Sequence, residues 1–413
     1  MTLKDYRGVE IDARDWAVLQ EMERISRQQV LLQYDFVSNH RVVRLYLEDI
    51  SEPEKALATA CRLEMLEHLR VSNIASLPES IGNLRSLKKL YLSGKNLTTL
   101  PDSIGNLQSL EWLEIYNGLT SLPDSIGNLR SLKRLEIYNG LTSLPDTIGN
   151  LRSLEELDLS SNKLTSLPDT IGNLQSLKFL TLSSNKLTSL PDTIGNLQSL
   201  EFLALSSNKF ASLPDSIGNL RSLNRLDLSC NPLASLPDTI GNLQSLEWLD
   251  IQGFLIHYPT YTFVPNPLAS LPDTIGNLQS LKHLDLHGNR LASLPDSIGN
   301  LQSLKHLDLS DNCIASLPDS IGNLRSLKEL YLNDNCLASL PGTIGNLQSL
   351  FLLNISRTPI TTLPESIGRL NADEEDFCFY HDNPGWETLP DPVGAWVKEW
   401  GMDDAWDDWD DDY

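Results

Sequence analysis

Four large aromatic residues, Trp112, Phe179, Phe202 and Trp248, recur at one place of a repeated sequence unit, with Tyr116 and Tyr138 close by. Large rings presented from strand positions do recognition chemistry, anchoring a partner by burying apolar area. The competing reading is that neighbouring rings cover one another. Two residues further along each unit runs a row of carboxylates: Glu114, Glu136 and Asp158, then Asp227, Asp250, Asp285 and Asp308. On adjacent strands about 4.8 Å apart such charges repel. A basic partner surface would relieve them; the alternative is a solvated face partly neutralised by His and Lys neighbours. A third feature is a 12-residue insertion near 253–264 that carries Phe254, Leu255, Ile256, Tyr258, Tyr261 and Phe263. An apolar loop needs a surface to cover, either its own chain or a partner.

Chemistry of other kinds finds less support. The sequence shows no nucleophile–base constellation, phosphate loop or metal signature. His283 and His306 lie one unit apart with His287 nearby, but zinc takes about four well-placed ligands. Cys313 and Cys336 occupy the same place in adjacent units and read as free thiols. Cys378 falls in an expected capping strand, not at a nucleophile's position. The column Glu67, Lys88, Glu111, Lys133, Glu155, Lys178 and Glu201 alternates in sign, which predicts a structural ladder of cross-strand ion pairs. These readings make the chain a binder, not an enzyme, with no cofactor expected.

The elements that position these residues come from the repeat itself. Leu-Pro recurs at Leu77, Leu100, Leu122, Leu144, Leu167, Leu190, Leu213, Leu236, Leu271, Leu294, Leu317, Leu340 and Leu363. The spacing is 23 residues, shortened to 22 twice and lengthened to 35 once. A full unit reads L-x-x-L-x-L-x-x-N-x-L-x-x-L-P-D-[ST]-I-G-N-L-x-S. The x-L-x-L-x segment alternates with period two, so Leu157 and Leu159 point inward and Asp158 outward. Each unit enters the sheet in the same direction, which makes the sheet parallel. The Asn that follows each strand, such as Asn162 or Asn185, both donates and accepts, so a stack of them can satisfy the turns inside the core. Pro-Asp-[Ser/Thr]-Ile starts a short helical turn on the opposite side, with Pro at its first position. Asn comes one place early at Asn117 and Asn139, and Lys95 and Thr358 stand where Asn is expected, so altered loops are predicted there.

This unit resembles the leucine-rich repeat, and the resemblance covers roughly residues 63–370. The Leu-Pro-x-x-Ile-Gly-Asn-Leu form is similar to the intracellular class. That class includes plant Ras-group-related repeat proteins, the Ras-pathway repeat scaffold, Ras-suppressor proteins, and many bacterial and archaeal repeat proteins. The resemblance implies an α/β fold: a curved solenoid with a parallel β-sheet on its concave face and short helical turns and loops on its convex face. It also implies a scaffold or adaptor role without naming a partner.

A repeat array grows as one body, so 413 residues do not have to divide into globular domains. The expected organisation is a capping helix and degenerate first repeat over 1–62 and about 13 repeats over 63–370. A degenerate cap over 371–402 and an acidic Trp/Asp tail over 403–413 follow. Asp12 to Gln29 reads as an amphipathic helix with Trp16, Leu19, Met22 and Ile25 on one face. Val43, Leu45 and Leu47 read as a first strand, Pro53 to Met65 as a helical stretch, Phe377 and Phe379 as a last strand, and Leu389-Pro390 as a repeat remnant. Net charge is −23, and residues 371–413 hold 15 acids against one base, Lys398. An acidic chain repels phosphate backbones and anionic membranes, so neither is expected as a partner. The five cysteines are scattered, the N-terminus lacks an apolar signal core, and no apolar run reaches 18 residues. A cytoplasmic setting is therefore expected. The function expected is a protein-interaction scaffold that binds a basic, partly apolar protein on its concave face. The alternatives are a regulator that occludes one enzyme or signalling protein, and a self-associating structural array.

Overall fold

Each repeat is a strand, an asparagine and a tight turn, and the reasons are local. Leu157 and Leu159 are wholly buried while Asp158 between them is half-exposed, the period of two that a strand imposes. Ser161 then takes φ 57°, which turns the chain and aims Asn162 into the core. The Asn162 amide donates to the Leu159 carbonyl at 2.9 Å and to Ile137 of the preceding repeat at 2.6 Å. Its oxygen accepts the N–H groups of Gly140 and Leu141. One buried amide thus satisfies backbone groups of two successive coils that would otherwise be stranded. Asn185 does the same for Leu159, Leu182 and Leu164.

On the far side of each repeat lies a five-residue 3-10 turn, such as Asp169–Asn173. The expectation that proline opens this turn is corrected. Pro168 sits one residue before it in extended conformation, and its carbonyl accepts the first bond of the turn, from Ile171 N–H, at 3.0 Å. Successive turns stack closely. A Cβ on buried Gly149 would stand 2.3 Å from the carbonyl oxygen of Thr170 in the next turn. Gly149→Ala is therefore expected to cost about 1–3 kcal/mol by overpacking, read as a lower midpoint in thermal unfolding. An unchanged midpoint would show that the turns are not tightly stacked.

This is a computed structural model, and it describes residues 2–26, 37–48, 50–253, 255–257, 262–264, 266–370, 377–382 and 393–403. The chain forms two compact units, Met1–Phe202 and Leu203–Tyr413. The first unit begins with an antiparallel hairpin, Leu3–Tyr6 with Val9–Asp12, which the sequence reading missed. The expected first helix is present as Ala13–Ser26, and Leu19 and Met22 on it are fully buried. Buried Asp15 on this helix accepts from Arg41 Nε at 3.0 Å and from Val42 N–H at 2.9 Å. The parallel sheet starts at Arg44–Leu47, the expected degenerate strand. It continues through His68–Val71, Lys89–Ser93, Trp112–Tyr116, Arg134–Tyr138, Glu156–Asp158 and Phe179–Thr181. In the two 22-residue repeats the strands lengthen to five residues, and Asn117 and Asn139 take φ 64° and 65°. These φ values match that of Ser161 in a regular repeat; the loop departs at Gly118, which takes φ 91° at the place of Asn162.

The second unit repeats the scheme in parallel register through Arg225–Asp227, Trp248–Asp250, His283–Asp285, His306–Asp308, Glu329–Tyr331, Leu352–Asn354 and Cys378–His381. Where Thr358 replaces asparagine, its hydroxyl donates to Ile355 O at 2.7 Å. Within the insertion, Leu255–His257 pairs antiparallel with Thr262–Val264. Cys378–His381 was expected to be the last strand, but Gly401–Asp403 pairs parallel beyond it. Helix Val393–Trp400 lies between them and buries Trp396 against the rings of Phe377 and Phe379. Leu389-Pro390 lies outside the described residues.

Candidate functional site

In the first unit, the sheet residues that face away from the core form a covered centre with an open edge. Trp112 is half-buried. The Tyr91 ring meets it edge-on at 5.2 Å, the Arg134 guanidinium lies over it at 4.5 Å, and Lys89 Nζ lies over it at 5.0 Å. Arg134 also pairs with Glu136 and with Glu156 at 3.0 Å. Glu136, expected to face outward, is only 4% exposed and bonds both Arg134 and Tyr138. Tyr116 and Tyr138 stack at 4.8 Å with planes 20° apart, and Tyr116 is 42% exposed. The Tyr138 hydroxyl donates to Asp158 at 3.0 Å. Burial, and then the negative charge of Glu136, push the Glu114 carboxyl above its ordinary range. Phe179 is also 42% exposed, whereas Phe202 is half-buried. Both readings therefore apply within one face: Trp112 is held by its neighbours but stays half-exposed, while Tyr116 and Phe179 stand more open.

In the second unit the same columns make a ring stack. Trp248 stacks on His283 at 3.5 Å and 12°, His283 on His306 at 4.2 Å, and His306 lies 5.4 Å from Tyr331. Arg225 caps the stack over Trp248 at 4.6 Å, and His306 Nδ1 lies 2.7 Å from Glu329. Burial holds His283 well below its usual range, at about 3, so it stays neutral. Beside this stack the acidic row runs Asp227, Asp250, Asp285 and Asp308 in strand register. Each accepts an N–H from two residues on, for example Gln252 to Asp250 at 3.0 Å and His287 to Asp285 at 2.9 Å. Burial, and then neighbouring carboxylates, push Asp250 up to about 6 and Asp285 up to about 7.

Both raised values lie above the unfolded carboxylate range, so the folded unit holds extra protons between about pH 4 and 7. The contribution of these groups to stability is full below about pH 4 and is lost as pH rises through 6–7. Asp285→Asn keeps the accepting oxygen and removes the charge. It is expected to stabilise the protein by about 1–2 kcal/mol at pH 7.5 and to flatten the pH dependence, with the row titrating as a set. Denaturant unfolding at pH 5 and 7.5 checks this; equal effects at both pH values would show that the row carries no repulsion.

Sequence reading missed Arg134, Arg225, Tyr91 and Tyr331, which cover or extend the aromatic sites. The signal was available, because each lies in the aromatic or acidic column one repeat away or two residues on. The ion-pair ladder is present as Lys88–Glu67 at 2.9 Å, Lys133–Glu111 at 3.1 Å and Lys178–Glu155 at 3.1 Å. Among the described residues, no group of three or more His, Cys, Asp or Glu is placed to hold a metal, and no helix is long and apolar enough to cross a membrane. Phe254, Tyr258 and Tyr261 lie outside the described residues.

Stacked strands, an asparagine ladder and turns on the opposite side define a leucine-rich-repeat solenoid. The leucine-rich repeat region family matches residues 28–143, 138–205, 169–264 and 260–335, and a leucine-rich repeat model matches 326–347. The chain belongs to the leucine-rich-repeat family, with the parallel sheet of each unit on the concave side that this fold defines. It is similar to a leucine-rich-repeat protein of Leptospira interrogans, at 32% identity and TM-score 0.61 over 86% of this chain and 95% of that one. It is also similar to the plant peptide hormone receptor RGFR1, at 28% identity and TM-score 0.60, over 78% of this chain and 56% of the receptor chain. An internalin of Listeria monocytogenes shares the fold at 19% identity and TM-score 0.55, over 89% of this chain and 95% of that one. No curated protein matches the chain. The family supports a protein-interaction role, and its fold is typically non-catalytic.

Proposed function

We propose that this protein is a non-catalytic adaptor that binds a basic, partly apolar protein segment on the sheet face of its first unit. The observation that carries the reading is the stacked Tyr116–Tyr138 pair, with Tyr116 exposed and the carboxylates Glu114 and Asp158 beside it. Exposed aromatics on a rigid sheet lose little entropy on binding and supply contact area. Neither Glu114 nor Asp158 forms an ion pair among the described residues, so an incoming Lys or Arg would offset the negative charge that Glu136 sets against Glu114 and speed encounter. Glu136 plays a different part: buried under Arg134, it holds the cation that steadies Trp112. The structure of the plant receptor is a complex with RGF2, which supports ligand capture by a fold of this kind. The scattered, odd-numbered cysteines support a reducing, cytoplasmic setting.

The test is affinity for the partner captured from the native host. Tyr116→Ala and Phe179→Ala are each expected to weaken binding while the circular dichroism spectrum is kept. Neutralising Glu114 and Asp158 is expected to slow association and reduce its salt dependence. Unchanged affinity in all of these variants would refute the reading.

A further inference from the structure

Of the five cysteines, two are exposed, and these two occupy equivalent places. Cys313 and Cys336 each follow a ladder asparagine, Asn312 and Asn335, one repeat apart in the second unit. The backbone is tied between these repeats on both sides of the pair. Before it, His306–Asp308 runs in parallel register with Glu329–Tyr331, and Asp311 N–H donates to Asn333 O at 3.0 Å. After it, Ile314 N–H donates to Asn335 Oδ1 at 3.0 Å and Ala338 N–H to Ala315 O at 3.4 Å. Coils bonded in this way run about 5 Å apart. That lies inside the Cα separation of about 4.4–6.8 Å that a disulfide spans. Both side chains face solvent, so they can lean together without disturbing the buried asparagines. The other three cysteines have no cysteine at the equivalent place of the neighbouring repeat. Cys61 is buried, with burial pushing its thiol up to about 11. Cys230 has Ser207 at the equivalent place of the preceding repeat, and Cys378 stands opposite Leu352 in the sheet.

We propose that Cys313 and Cys336 form an oxidation-sensitive dithiol that closes into an inter-repeat disulfide by exchange with a low-molecular-weight disulfide. In the first step one protein thiolate attacks the small disulfide, forms a mixed disulfide and releases one small thiolate. The second protein thiolate then attacks the protein sulfur of that mixed disulfide and expels the other small thiolate. The two protons lost by the cysteines end on the two released thiols. The two protein sulfurs are oxidised, and the small disulfide is reduced. The bridge links the repeats that carry His306 and Glu329, so it would fasten one end of the ring stack of the second unit.

The test uses the full chain, reduced, desalted and then incubated with oxidised glutathione. Intact-mass measurement and a non-reduced tryptic digest give the result. Trypsin cuts at Arg325 and Lys328, so the two cysteines fall on separate peptides. The expected result is loss of two hydrogens from the monomer and one linked pair, Cys313 with Cys336, reversed by dithiothreitol. In Cys336→Ser the exchange stops halfway, and Cys313 is expected to keep a glutathione adduct. Persistent adducts on both cysteines of the unaltered chain would overturn the proposal, because they show sulfurs that cannot meet. Unmodified thiols, or a bridge joining two chains, would overturn it as well.

Discussion

Replacing Leu159 by alanine is expected to lower the unfolding free energy by about 2–5 kcal/mol. The side chain is wholly buried, so its truncation removes contacts on every side. The cost depends on whether the surroundings can collapse into the gap, and here the backbone prevents it. The Leu159 N–H donates to Thr181 O at 2.8 Å, and its carbonyl accepts from Asn162 and Asn185, both at 2.9 Å. Three bonds to its own and the following repeat hold the residue in place, so the cavity stays open. Exposed Lys163, four residues on, is the control; its replacement by alanine is expected to change stability by less than about 0.5 kcal/mol. Denaturant titration with a shifted midpoint and an unchanged slope gives the reading. A loss under about 1 kcal/mol would show that the coils repack freely.

Trp112→Ala is expected to weaken partner binding by about 1–3 kcal/mol, a factor of roughly 5 to 150 in affinity. The indole is held before any partner arrives: Tyr91 meets it edge-on, and Arg134 and Lys89 lie over it. A ring fixed in this way loses little freedom on binding. Its removal also frees Arg134, whose remaining partners Glu136 and Glu156 would hold it differently across the face. Folding should survive, because the indole lies outside the core that Leu113 and Ile115 make. Calorimetric titration of the variant against the captured partner, with thermal unfolding alongside, separates the two effects. Equal affinity with equal stability would assign Trp112 to the surface alone.

Most of the fold was legible because one short pattern is repeated and each of its positions has one physical task. Leu157, Leu159, Asn162 and Ile171 take the places that alternation and amide satisfaction require. Features that depend on one neighbour instead of a column were harder to read. Pro168 precedes its turn because its carbonyl is needed as the first acceptor, which no periodicity reports. The opening hairpin turns at Arg7, with φ 53°, and Gly8; an arginine in a left-handed conformation gives little warning. Glu136 lies in the outward column, yet Arg134 on the same strand and Tyr138 two residues on enclose it. The aromatic column placed its rings on the outward face of the strands, but how far each is covered depends on what the adjacent repeat presents: Tyr91 beside Trp112, His283 beside Trp248.

The most direct test of sheet-face binding is amide hydrogen exchange on the protein with and without its captured partner. Slowed exchange is expected in the strands Trp112–Tyr116 and Arg134–Tyr138 and their following loops, with the 3-10 turns Asp124–Asn128 and Asp146–Asn150 unchanged. Protection confined to those turns, with the strands exchanging as in the free protein, would contradict it.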